Sequence, residues 1–316
     1  MNQRRSCGWI ALGSFCLSIF AVTPTIGWAQ GQDSQPYERD LMVIATMLRG
    51  GFDNANQSYF DVRGDRDEKH RRIHQVVESV RDSALGEHVF VVSGYWDSDP
   101  EKATGSQLWS LRPEPETATV QMQMWALEPG MGVGNLPPAD QLPAADACEL
   151  LWRREPAQFR ATSRQSCAKD LPTEVVISER QLWMAFTESG QDFQLHRIRR
   201  FECYADIPGV GGGRNEPYDR YDGLQLHDQG GQAWFTDKDG RRFRVSLFLV
   251  DWPINNYEGI FTRDSLVVYL SEDMGDSMKE HGYAFTVPNA DRIGLNLKWA
   301  LVSCYMNSNR FETPFM

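Results

Sequence analysis

From Tyr37 onward the chain changes its hydrophobic period once. Leu41, Ile44, Ala45 and Leu48 recur at helical spacing, Pro36 suits a first turn, Ser34 can cap it, and Gly50-Gly51 stops it. After a polar stretch around Asp53 to Asp67, apolar residues alternate. That period predicts strands at 71–79, 88–95, 107–112, 119–127, 150–154, 158–163, 174–177, 182–187 and 193–203. A Gly/Pro-rich loop, 129–143, interrupts them. A second Gly-rich break, Pro208 to Pro217, precedes further alternation at 232–235, 242–250 and 266–270 and through Ile293, Leu295, Leu297, Trp299 and Leu301. Strands of this length joined by short turns predict a mostly β fold, an antiparallel barrel or sandwich with an N-terminal helix and a β-rich C-terminal extension.

The first residues have a different pattern. Arg4 and Arg5 precede an apolar run from Cys7 to Val22, Pro24 follows, and Gly27-Trp28-Ala29 places small residues where a signal peptidase reads. The expectation is an exported protein, periplasmic or secreted, with a leader over 1–29, a barrel domain over 30–205, a linker over 206–217 and the extension over 218–316. No later run is long enough to span a membrane.

Composition narrows the partners. Of 32 Lys and Arg, two lie in the leader, so the mature chain sets 30 against 43 Asp and Glu, a net charge of -13. Such a surface, with no basic block, argues against nucleic acid. Four cysteines remain after the leader: Cys148, Cys167, Cys203 and Cys304. An even number in an exported chain predicts disulfides, and no C-x-x-C pair suggests zinc. Cys148 and Cys167 flank two short strands, and Cys203 and Cys304 each end one. The favoured pairing is therefore Cys148–Cys167 and Cys203–Cys304, the second tying the extension to the barrel.

Most short motifs have plain readings. Gly209 to Gly213 lacks the helix a phosphate loop needs. Asp237-Lys238-Asp239-Gly240 reads as a hairpin turn, since Arg242 and Phe243 stand where a calcium loop wants ligands. His70 and His74 have no third ligand in view, so no metal is assigned. No nucleophile and base stand at a recognisable spacing.

One long pattern is more specific. Leu48 to Gln57, His70 to His74, the aromatic-rich His88 to Tyr95, Cys148 to Trp152, Gln158 to Cys167 and Glu188 to His196 follow one another in a characteristic order. In this order the region from about Tyr37 to Tyr204 resembles the CpcT/CpeT family of phycobiliprotein chromophore lyases. The resemblance implies a calyx-like antiparallel β-barrel, often dimeric. It also implies binding of a linear tetrapyrrole (bilin) as substrate and lyase chemistry that attaches it by a thioether to a cysteine of a client protein. No other cofactor is implied, and the nucleophile belongs to the client. On this reading Arg71, Arg72 and Arg112 meet the bilin propionates, and Tyr95, Trp96, Trp109 and Trp125 form stacking walls. Val92-Ser93 stands where the family usually carries a Glu-Gln pair. The alternative, of a different class, is an exported β-barrel without catalysis that binds an apolar ligand or serves as a structural module.

Overall fold

The computed structural model describes residues 35–81, 83–142, 148–187, 190–208, 218–256 and 259–306, with backbone alone over 251–256 and 259–263. The leader expected over 1–29, the helix cap at Ser34 and the Gly-rich segment 209–217 lie outside the described residues.

Helix α1 (Pro36–Leu48) opens with proline in its first turn, and the Glu38 carboxylate accepts the Gln35 N–H at 3.2 Å. Gly50, at φ +122°, turns the chain out of the helix into β1 (Gly50–Asp53). A second helix, α2 (Ala55–Arg63), occupies part of the stretch read as polar. Nine further strands follow: β2 (Ile73–Val80), β3 (His88–Trp96), β4 (Ser106–Glu114), β5 (Thr119–Leu127), β6 (Cys148–Glu155), β7 (Gln158–Ser163), β8 (Glu174–Ile177), β9 (Gln181–Phe186) and β10 (Gln191–Arg197). With β1, which pairs with both β2 and β10, they close a ten-stranded antiparallel barrel.

Alternation fills this barrel. Phe52, Val77, Phe90, Trp109, Met122, Leu150, Trp152, Val175, Met184 and Leu195 join one buried cluster with Leu41, Ile44 and Leu48 of α1. The side chains in between face outward. On one sector Val89, Val91, Leu108 and Trp125 make a separate patch, with Leu136 and Leu142 of the Gly/Pro-rich loop packed against it. That loop seals the outer wall.

The strand expected over 193–203 breaks at Ile198-Arg199, where the chain leaves the barrel. β11 (Arg200–Pro208) and β12 (Tyr218–His227) pair with each other on either side of the segment expected as a linker. β13 (Gln229–Thr236), β14 (Arg242–Asn256), β15 (Gly259–Asp273), β16 (Met278–Thr286), β17 (Arg292–Leu297) and β18 (Ala300–Met306) complete two four-stranded sheets, ordered β12-β11-β18-β17 and β13-β14-β15-β16. Phe201, Ala205, Leu226 and Val302 of one meet Phe243, Leu247, Leu266 and Leu270 of the other in a shared core. The extension is thus a β-sandwich. Between β13 and β14 the expected hairpin turn forms, Asp237 Oδ1 accepting N–H bonds from Asp239 and Arg241 at 3.0 and 2.8 Å.

Both expected disulfides are present. Their roles differ from expectation in one respect. Cys203 and Cys304 stand directly opposite each other on the paired strands β11 and β18, inside the sandwich core. This bond therefore staples the sandwich, and the barrel is joined to the sandwich by other means.

Candidate functional site

Those other means converge on one buried cluster. Asp53 of β1 stands between His196 of β10 and His74 of β2, and His74 is paired with Tyr95 of β3. Asp53, His74 and His196 neighbour the lumen-facing Phe52, Ile73 and Leu195, and Tyr95 neighbours Trp96, which packs against the same cluster, so alternation puts the row His196, Asp53, His74, Tyr95 on the outer wall. The sandwich supplies the cover. Where the chain leaves the barrel, Arg199 donates from its backbone N–H to Asp228 Oδ1 at 2.8 Å and from Nε to Oδ2 at 2.6 Å. This clamp brings the end of β12 back over β10, and His227 lands on the row.

Asp53 is the hub, its side chain 1 % exposed. Its Oδ1 accepts the Ala55 N–H at 2.8 Å and Arg72 Nε at 3.0 Å. Its Oδ2 lies 3.2 Å from Arg72 Nη2, 3.2 Å from His74 Nδ1 and 4.0 Å from His227 Nε2. Arg72 also donates to the carbonyls of Gln229 and Gly230 at 2.6 and 3.2 Å, a bridge from barrel to sandwich. The two imidazoles lie 4.9 Å apart, and His74 stacks on Tyr95 at 4.7 Å. His227 Nδ1 receives the Gln229 N–H at 3.3 Å.

The electrostatics follow from burial. Burial opposes charge on Asp53, yet the His74 hydrogen bond and Arg72 more than offset it, and its carboxyl lies below the usual carboxylate range. Burial, then the neighbouring His74, pushes His227 down to about 3. His196 is also lowered by burial, against the pull of Asp228. A neutral imidazole such as that of His227, beside an ionised carboxylate, is a hydrogen-bonding or metal-ligating group. Donor atoms of Asp53, His74 and His227 lie within 4.8 Å of one another.

The residues expected to grip a bilin divide among separate places. Arg71 and Trp96 do meet, the guanidinium lying 4.8 Å over the ring, but Arg71 is also bound to Asp97 at 2.7 and 3.0 Å. Arg72 and Tyr95 belong to the junction described above. Trp109 is in the lumen, its Nε1–H donating to Gln107 Oε1 at 2.9 Å, while Trp125 is in the outer patch. Because Trp109 and Trp125 face opposite sides of one wall, a single pocket lined by Tyr95, Trp96, Trp109 and Trp125 is not formed. Arg112 is exposed and donates to Gln121 Oε1 on the neighbouring strand.

His70 and His74 do not come together. His70 follows α2, where its Nδ1 lies 2.6 Å from Asp61 Oδ2 and its Nε2 3.4 Å from Asp192 Oδ1. His74 finds its partners across the sheet and in the sandwich. Asp53 and His227 carry no local motif. The one signal for His74 was its place on a period-two strand, opposite in phase to the lumen residues. No family model, curated protein or solved structure matches the chain.

Proposed function

We propose that this chain is an exported, non-catalytic binding module that contacts an apolar ligand or partner with its outer surface. The observation that supports this most is the packing of the lumen: Phe52, Phe90, Trp109 and Trp152, at most 2 % exposed, occupy the space a calyx would offer a ligand. Apolar surface is available elsewhere. On the side of the β13–β16 sheet that faces away from the sandwich core, register aligns Phe248, Val267 and Phe285 in one row and Ser246, Tyr269 and Tyr283 in the next. Val267 and Ser246 are buried, and the exposed end of this face is formed by Tyr283 and Phe285. Phe285 is 61 % and Tyr283 49 % exposed, with Tyr269 5.7 Å from Tyr283. Flat aromatic surface of this kind favours an apolar contact through area burial.

A bilin lyase is the second reading. The ten-stranded antiparallel barrel with its N-terminal helix and the Arg71–Trp96 pair favour it. Mixing the mature protein with phycocyanobilin and an apo-phycobiliprotein separates the two. The binding-module reading expects no enzyme-dependent thioether adduct, and a rapid one would overturn it in favour of the lyase. The outer face is probed with an environment-sensitive naphthalene sulfonate dye. Its fluorescence should fall in a Tyr283→Ser/Phe285→Ser variant; unchanged fluorescence would remove that face from the proposal.

A further inference from the structure

We propose that Asp53, His74 and His227 bind one transition-metal dication of the zinc class, which clasps the sandwich to the barrel. Three of the chain's six histidines, His74, His196 and His227, converge on this buried junction with a carboxylate, from strands far apart in sequence. The donor set, two imidazoles and one carboxylate, suits zinc and its neighbours and leaves a position for water. The spacing suits it too. Ligands at about 2.0–2.2 Å from a tetrahedral ion lie roughly 3.5 Å from one another. Asp53 Oδ2 is 3.2 Å from His74 Nδ1 and 4.0 Å from His227 Nε2, so small side-chain adjustments close the site.

The surroundings orient the donors. Arg72 Nε and the Ala55 N–H hold Oδ1 of Asp53, which turns Oδ2 toward both imidazoles. Tyr95, stacked on His74, fixes that ring. Ligation through His227 Nε2 moves the ring proton to Nδ1 and opens the 3.3 Å contact from the Gln229 N–H. Among the described residues, the buried Oε1 of Gln229 also has no hydrogen-bond donor. Such an acceptor is costly to bury unless a donor or ion completes its surroundings.

The test uses the folded mature protein, stripped with a chelator and titrated with Zn²⁺ by calorimetry and with Co²⁺ by visible absorption. We expect saturable uptake of one equivalent. Affinity should fall roughly 10- to 100-fold or more in His227→Gln and in His74→Gln, while His281→Gln behaves as the parent. No saturable uptake, or uptake unchanged in both variants, would overturn the proposal. Should a variant fail to fold, hydrogen exchange of the unaltered protein decides: Zn²⁺ should protect the backbone around Asp53, His74 and His227, and protection elsewhere or nowhere sinks the site.

Discussion

Trp109 and Trp125 show how much one step along a strand pair decides. Leu108 pairs with Trp125, and Trp109 with Met124, so two tryptophans close in sequence register lie on opposite faces of the wall. Trp109 belongs to the core of the barrel, and its truncation leaves a cavity. Trp109→Ala should cost about 3–5 kcal/mol in denaturant unfolding, against about 0.5 kcal/mol or less for Trp183→Ala, whose side chain is exposed. A near-neutral Trp109→Ala would mean that this side chain lines an open pocket. A second residue-scale prediction concerns acid. Asp61 is buried, which alone would raise its pKa, but the His70 backbone and ring hydrogen bonds, with the charges of His70 and Arg66, hold it below the usual value. A carboxyl whose folded pKa is depressed contributes stability that is present above its unfolded pKa, about 4, and is lost as the pH falls through the folded value. Asp61→Asn should therefore destabilise the protein at neutral pH and flatten the fall in stability below about pH 4. Parallel curves of melting temperature against pH would contradict it.

At the scale of elements, β2 and β3 position half of the junction, and Gly94 sets how closely they approach. A Cβ at Gly94 would meet the His74 carbonyl oxygen at 2.1 Å, an impossible contact with backbone. Gly94→Ala should cost roughly 1–3 kcal/mol, read as a lower denaturant midpoint with unchanged slope, because the strands must part beside His74. Elements of this kind were legible in the sequence where one face is buried. Thr119–Leu127, Gln158–Ser163 and Glu174–Ile177 match the expected strands residue for residue. Three other places were not legible. β1 is four residues long and begins with the two glycines that read as a helix stop. α2 exposes Tyr59, Phe60 and Val62 and buries Asp61, the reverse of an amphipathic helix. The break at Ile198-Arg199 is hidden because Ile198 and Phe201 continue an apolar series on both sides of it. The junction was less legible still. Its residues are polar, singly placed and far apart, and only barrel closure plus the Arg199–Asp228 clamp brings them together.

At the scale of the whole molecule, the described part beyond residue 34 is one compact unit built from two differently shaped cores. Each core has its own staple, Cys148–Cys167 in the barrel and Cys203–Cys304 in the sandwich. Both structures are thus braced internally, and their cooperation depends on the junction. Arg72 carries much of it, since its guanidinium binds Asp53 on the barrel and two carbonyls on the sandwich at once. Removing it leaves the buried Asp53 charge without its cation, and breaking a buried pair from one side typically costs about 3–5 kcal/mol. In metal-free Arg72→Met the two bonds to the sandwich carbonyls are lost as well, so the contact between the cores is weakened. The expected result by scanning calorimetry is a parent that melts in one transition and a variant that melts in two. The calorimetric enthalpy of the variant should then exceed its van't Hoff enthalpy. One sharp transition in both proteins, shifted but not split, would show that the cores are coupled by the remaining contacts, and that Arg72 acts only within the barrel.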